Sequence, residues 1–337
     1  MVADEMTVKQ MNISRRFLIY GAGAIGSVFG GMLARAGHDV ALVGRRDHME
    51  AVAGRGLRIT GLLGDHLVRG ISTAVSLEEL DAHPAPDAVM LCVKSFDTQE
   101  AVDHLAGSGL VGDRTAVISL QNGLGNVERV QDVFGQERGF GGRVIFGAEL
   151  DGTGSVSVTV WADKVLLGGG DPGTAGDIAD ILTGCGIETE AADDIFRALW
   201  EKVLYNVGLN PLSAILEVPY GDLGREEHAR SLLIGLIREA YAVARAENNA
   251  SGNSADEYLD LFFGNLLPAT VSHRSSMLQD IRRGRKTEIE SINGEVVRRG
   301  KIHGIDAPMN EMMISLVKAK VALFRDQGPG IRDQGIG

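Results

Sequence analysis

Phe17-Leu18-Ile19-Tyr20-Gly21-Ala22-Gly23-Ala24-Ile25-Gly26 is the stretch on which the reading of this chain turns. A strand-length apolar run leads into G-x-G-x-x-G, and an apolar helical pattern continues from Ile25 to Ala36 before Gly37 ends it. The spelling alone is common; a strand before it and a helix after it give it meaning. Gly21 permits the tight turn, Gly23 lets a pyrophosphate approach the backbone, and Gly26 lets helix and strand pack closely. Ala22, Ala24 and Ile25 complete the loop, and the helix N-terminus adds unpaired N–H groups with a partial positive charge. The plain alternative, glycine in an ordinary turn, is disfavoured by both flanks.

Working outward, Asp39 to Val43 is the next strand and closes a βαβ unit. Strand-length apolar runs recur at Asp87 to Val93, Thr115 to Leu120 and Gly142 to Phe146, with segments between them long enough for crossover helices. The alternation predicts an α/β fold that opens with a Rossmann-like, doubly wound, mostly parallel sheet. Ser155 to Trp161 and Lys164 to Leu167 read as a hairpin ending that domain. From about Asp193 glycine thins out, and apolar residues fall at helical spacing in Ile195 to Leu209, Ala229 to Ala246, Tyr258 to Leu267 and Glu288 to Lys301. The expected layout is a flexible lead-in over 1–14, a dinucleotide-binding domain over 15–192, an all-helical C-terminal domain over 193–325 and a disordered, glycine-rich tail over 326–337.

A chain of 337 residues with 44% hydrophobic and 23% charged residues has the balance of an ordinary globular protein of two domains. Its apolar runs are too short to span a membrane, and the polar start lacks the apolar core of a secretory signal. The net charge of −12 argues against nucleic acid or an anionic membrane as partner. The one basic cluster, Arg282-Arg283-Gly284-Arg285-Lys286, reads as a solvated turn between helices. Cys92 and Cys185 form no disulfide framework, so the expected compartment is the cytoplasm. The eight histidines show no paired ligand spacing and no G-x-S-x-G is present, so neither a metal site nor a serine hydrolase is expected. A homodimer is compatible with the helical half, although a helix packing on its own core produces the same amphipathic pattern.

The end of the second strand separates the nicotinamide cofactors, because NAD is usually held there by a carboxylate on the adenosine ribose. This chain instead reads Val43-Gly44-Arg45-Arg46, and an arginine suits a 2′-phosphate through fork-shaped, charge-assisted hydrogen bonds. NADP(H) is therefore the expected cofactor, with Arg45 as its contact and Arg46 second. Farther on, Lys202, Asn206 and Asn210 recur every fourth residue. Such a stripe drifts only roughly 40° per step around a helix. It is either the wet face of the helix or a set of polar groups meeting a ligand. Pro211 should stop or kink the helix there and aim Asn210 into the cleft.

From Trp200-Glu201-Lys202-Val203-Leu204-Tyr205-Asn206 and Asn210-Pro211-Leu212 onward, the chain resembles the ketopantoate reductase family. Gln121-Asn122-Gly123, Ser275-Ser276-Met277-Leu278-Gln279-Asp280 and Thr287-Glu288-Ile289-Glu290 with Asn293-Gly294 reinforce the resemblance, which runs from the first glycine to about Lys320. It implies NADPH-dependent reduction of a small 2-oxo acid, ketopantoate to pantoate in pantothenate biosynthesis. Lys202 is then the general acid, with Glu288 beside it and the substrate hydroxyl. The same resemblance puts Ser276 on the substrate carboxylate, Asn206 and Asn210 on its polar groups, and Asn122 against both cofactor and substrate. Lys94 lines the cofactor side, and Ala148 lies by the nicotinamide.

The residues make chemical sense alongside the family. Reduction of a ketone needs a proton at oxygen, and a lysine whose pKa is lowered by burial can supply it. Thr287 and Glu290 stand as in a capping box, which places Glu288 in a first helical turn where a carboxylate stays ionised. The plainer readings are a snorkelling strand-end Lys94, a surface or capping Ser276, and a Glu288 that only complements a helix dipole. Two rivals stand beside the main reading: a paralogue acting on another 2-oxo acid, and a non-catalytic NADP-binding sensor.

Overall fold

The computed structural model describes residues 14–80 and 83–326. They form two compact units, one of residues up to Gln121 with Gly125–Ala198, the other of Asn122–Leu124 with Leu199 onward. Of the expected lead-in and tail, only Ser14 and Asp326 belong to the described residues; the rest of both segments lies outside them.

In the first unit, β1 (Arg16–Tyr20) enters the glycine turn, α1 (Ala24–Arg35) leaves it, and β2 (Asp39–Val43) returns parallel to β1. There follow α2 (Arg46–Arg55), β3 (Leu57–Gly61), β4 (His66–Val68), β5 (Ser72–Ala74), β6 (Ala88–Leu91), α3 (Thr98–Gly107), β7 (Ala116–Ser119) and α4 (Asn126–Phe134). The unit closes with β8 (Gly139–Arg143), β9 (Phe146–Leu150), β10 (Ser155–Trp161), β11 (Val165–Gly168), α5 (Pro172–Gly184) and β12 (Thr189–Ala191). Eight strands make the large sheet in the order β12-β11-β8-β7-β6-β1-β2-β5, parallel at every pairing except β8 with β11. The mostly parallel sheet wound with helices is the expected fold class. A second sheet of four strands runs β4-β3-β10-β9.

α1 is apolar on most of its circumference because it lies between the two sheets. A side chain at Gly30 would strike Leu42 Cδ2 of β2 at 2.4 Å, and one at Gly31 would strike Ile59 Cδ1 of β3 at 2.6 Å. Its Val28, Phe29, Met32 and Leu33 are buried in the same core as Ile19, Leu42, Ile59, Val156 and Val158. Each such side chain contributes roughly 1.5–3 kcal/mol on burial.

The expected hairpin over 155–167 does not form. β10 lies in the small sheet between β3 and β9, whereas β11 pairs with β8 and β12 in the large one. The run Gly142 to Phe146 likewise divides between β8 and β9, one in each sheet. The two crossings lie side by side: Ala162 N donates to Ile145 O at 3.0 Å, and Arg143 Nη2 pairs with Asp163 Oδ2 at 2.6 Å. Two-residue periodicity marks a buried face but not the sheet that supplies it.

The second unit is helical. α6 (Ile195–Leu216) runs into it from the first and is followed by α7 (Tyr220–Arg225), α8 (Glu227–Ala246) and α9 (Ala255–Leu261), which continues as a π-turn over Phe262–Leu266. α10 (Ser276–Arg282), a π-turn over Glu290–Gly294, α11 (Glu295–Ile302) and α12 (Pro308–Asp326) complete it. Trp200, Leu204, Val207, Leu233, Leu236, Ile237, Phe262, Val296 and Val317 are buried in it.

α6 neither stops nor ends at Pro211, which lies inside it. Proline has no N–H, so the carbonyl of Val207, four residues back, loses its helical donor. Asn293 supplies one: its Nδ2 donates to Val207 O at 2.8 Å and to Asn310 Oδ1 at 2.9 Å. The π-turn that carries Asn293 turns this fully buried amide toward α6. Among the described residues no helix is long and apolar enough to cross a membrane.

Candidate active site

The glycine loop is the candidate cofactor site of the first unit. Gly21 has φ +108°, and a Cβ there would lie 2.4 Å from Val93 N; one at Gly26 would lie 2.4 Å from Gly21 O. Both positions are closed to a side chain. Gly23 is different, because a Cβ there would meet nothing within 4 Å. The space beside it is open, and no side chain caps α1, which begins at Ala24 and Ile25. First-turn N–H groups next to open space suit the phosphates of a dinucleotide. Ala22 is buried, with its N–H donating to Val43 O at 2.8 Å.

Arg45 stands exposed at the N-cap of α2. Its neighbour Arg46 faces Glu50 at 3.7 Å, while no carboxylate pairs with Arg45 among the described residues. The cation nearest the end of β2 is thus available to a phosphate. Lys94 is half-buried just after β6, at the carboxyl edge of the parallel strands where such sheets gather ligands. Ala148 is half-buried in β9, opposite Val158, and so belongs to the small sheet.

A buried polar network under this edge was not anticipated from sequence. Gln121 Nε2 donates to Val93 O at 3.0 Å and Thr98 Oγ1 at 2.7 Å, and Ser119 Oγ donates to Gln121 Oε1 at 2.9 Å. It ties the chain before Asn122 to the chain before Lys94. The Gln-Asn-Gly run was its only signal.

The second unit holds the proposed chemistry. The short segment Asn122–Leu124 belongs to it because Leu124 N donates to Ser291 O at 2.9 Å. Gly123, at φ +87°, lies so close that a Cβ would be 2.2 Å from that same oxygen. Asn122 then sits between two charged groups: Lys202 Nζ donates to its Oδ1 at 2.6 Å, and its Nδ2 donates to Glu288 Oε2 at 3.3 Å. The amide orientation follows from its neighbours, oxygen to the ammonium and nitrogen to the carboxylate. Lys202 is half-buried and Glu288 is 7% exposed.

Along α6, Asn206 is half-buried one turn beyond Lys202. Asn210 is buried, and its Oδ1 accepts from Tyr220 OH at 2.6 Å. The expected stop does not occur, because the helix continues through Pro211 and keeps Asn210 within it. Burial holds the Tyr220 phenol above its usual range, so it stays a donor, and the Asn210 amide is left with N–H bonds to offer. Tyr205, with its hydroxyl bonded to Thr270, packs 6.2 Å from the Tyr220 ring and 5.9 Å from Phe262.

Ser276 is exposed at the first position of α10, while its neighbour Ser275 does the capping by accepting from Leu278 N at 3.0 Å. The capping box at Thr287 is not built: Glu290 pairs with Lys318 and lies over Gly294. Glu288 stands just before the helical segment rather than within its first turn, and its carbonyl accepts from Ser291 N at 3.1 Å. Among the described residues no group of three His, Cys, Asp or Glu could hold a metal ion. What the second unit assembles is an ammonium group, an orienting amide and a carboxylate, a set that can give a proton and accept a hydrogen bond.

Comparison with known proteins agrees with this architecture over almost its whole length. Residues 17–171 match the profile "Ketopantoate reductase PanE/ApbA", and residues 194–321 match "Ketopantoate reductase PanE/ApbA C terminal". The 2-dehydropantoate 2-reductase of Aquifex aeolicus is 37% identical over 312 residues, 90% of this chain and 96% of that one. The crystal structure of a PanE/ApbA family ketopantoate reductase from Ralstonia eutropha superposes with a TM-score of 0.82 at 32% identity, covering 92% of this chain and 99% of that one. A D-mandelate dehydrogenase solved with NADH and anilino(oxo)acetate reaches the same TM-score of 0.82 at 27% identity, with 92% and 99% covered. With both of its units matched in sequence, this chain belongs to the ketopantoate reductase family.

Proposed function

We propose that this protein reduces 2-dehydropantoate to pantoate with NADPH, a step toward pantothenate, and that Lys202 is the general acid. The observation that carries the reading is the Asn122 amide bonded to Lys202 at 2.6 Å on one side and to Glu288 at 3.3 Å on the other.

Bound NADPH supplies the hydride to the ketone carbon. The chain's own residues bind, orient and protonate. The turn of Gly21, Ala22, Gly23, Ala24, Ile25 and Gly26 receives the pyrophosphate, Arg45 the 2′-phosphate, and Lys94, Asn122 and Ala148 the nicotinamide end. Lys202 gives one N–H proton to the ketone oxygen as that oxygen gains charge, leaving a neutral amine that is reprotonated from water. Asn122 accepts from the same ammonium and so fixes its direction. Glu288, acceptor of an Asn122 N–H, takes a hydrogen bond from the substrate hydroxyl. Asn206, Asn210 and Ser276 serve the substrate's remaining polar groups.

In this reading residues 15–192 form the NADP domain and 193–325 the substrate domain. A homodimer is proposed on the exposed row Met312, Leu316 and Leu323 of α12, spaced as one helix face. The cytoplasm is the proposed compartment, since Cys92 and Cys185 carry no disulfide and burial raises both thiols above their usual range.

A second reading, reduction of a bulkier 2-oxo acid, draws on the rings of Tyr205 and Tyr220 beside Asn210. Following nicotinamide oxidation with a panel of 2-oxo acids, each with NADPH and NADH, separates the readings. The highest kcat/KM is expected for ketopantoate with NADPH. A higher value for an aromatic acid would favour the second reading, and no turnover with any acid would refute both.

A further inference from the structure

His48 is 5% exposed on α2 and is used by nothing in the mechanism above. Its Nε2 lies 3.0 Å from Ser27 Oγ on α1, and Gly154 N, in the turn between β9 and β10, donates to its Nδ1 at 3.0 Å. An amide N–H can only donate, so Nδ1 carries the lone pair and the ring proton is on Nε2, directed to Ser27. Burial, and after it the charge of Arg45, hold the pKa of His48 below its usual value, which keeps this neutral form.

The bonds tie together three elements of the first unit. α1 carries the glycine loop. α2 carries Arg45, whose carbonyl accepts from His48 N at 3.0 Å and from Met49 N at 3.0 Å. The β9–β10 turn rests on α2 at Gly154, where a Cβ would lie 3.2 Å from Ala51 Cβ, and it accepts from Arg55 Nη2 at Thr153 O, 3.3 Å away. Ser27 is fully buried, so the histidine is the polar link between the helix behind the phosphates and the helix that presents the arginine. The placement of a guanidinium against a phosphate tolerates little rotation, because its fork must meet two oxygens.

We infer that His48 is a positioning residue that holds α2 against α1 and thereby sets the preference for the 2′-phosphorylated dinucleotide. The inference rests on the reading of Arg45 as the phosphate contact. It separates from a merely structural role, which would move stability and both dinucleotides together.

The test is titration of the full chain with NADPH and with NADH, by nicotinamide fluorescence, in wild type and in the His48→Ala, His48→Gln, Ser27→Ala and Arg45→Ala variants. His48→Ala should raise the Kd for NADPH about tenfold and leave that for NADH within about twofold. Ser27→Ala should shift the ratio in the same direction. His48→Gln should restore it, since the amide can accept from Gly154 and donate to Ser27. Equal weakening of both dinucleotides in His48→Ala, or no change in either, would overturn the inference. Should His48→Ala not fold, an unchanged ratio in Ser27→Ala would overturn it. A silent Arg45→Ala would bring down the phosphate reading and the inference with it, whereas a selective Arg45→Ala beside a non-selective His48→Ala removes the inference alone.

Discussion

A side chain at Gly21 would meet Val93 N at 2.4 Å, whereas one at Gly23, two residues on, would meet nothing within 4 Å. The first glycine is therefore required by the fold, whereas the fold leaves the second free to carry a side chain and the proposed dinucleotide would use that space. Gly21→Ala should destabilise the protein by about 1–3 kcal/mol, through its left-handed backbone and the contact with β6's end. Gly23→Ala, at φ −82°, should stay within about 1 kcal/mol of wild type. It should nonetheless weaken NADPH binding about tenfold, since the methyl group enters the proposed phosphate space. Thermal melts and a binding titration check both, and undiminished binding by Gly23→Ala would remove the loop from the cofactor site. The tight turn at Gly21 and the close packing at Gly26 are legible in G-x-G-x-x-G, whose context assigns each of these glycines a task. The meeting of Lys202, Asn122 and Glu288 was not legible from spacing, because the two hydrogen bonds span 80 and 166 residues. Only the family motifs brought those three together in advance, and nothing in them showed that Asn122 stands in the middle.

Elements were legible in proportion to how local their causes are. α1, β1 and β2 follow from a glycine turn and two apolar periods. α6 is legible as a helix over Ile195 to Leu209, with a kink or stop at Pro211; its continuation to Leu216 is not, because the donor that replaces the missing N–H comes from Asn293, which lies 86 residues from the Val207 carbonyl it serves. Asn293→Ala leaves that carbonyl buried without a donor and also removes a bond to Asn310. It should cost about 1–3 kcal/mol in denaturant unfolding. An unchanged midpoint would show that α6 passes Pro211 without this support. The split of β10 and β11 between sheets was beyond periodicity for a related reason. Alternation tells which residues are buried, and both sheets bury their strands in one core.

The whole molecule was legible as a class and not as an arrangement. Alternating strands and helices followed by helices alone imply a wound sheet and a helical unit, and both are present. The small second sheet, and the three residues Asn122–Leu124 that belong to the helical unit although they follow β7 in the chain, have no counterpart in composition or texture. Through that short segment the loop after a Rossmann-type strand delivers the amide that accepts a hydrogen bond from Lys202. The proposed reduction stands on that lysine giving a proton to the ketone. Its most direct measurement is the turnover of Lys202→Ala with ketopantoate, taken alongside the NADPH affinity of the same variant. NADPH should bind within about twofold of wild type while kcat falls by roughly 10²–10⁴. Turnover equal to wild type at unchanged affinity would contradict it.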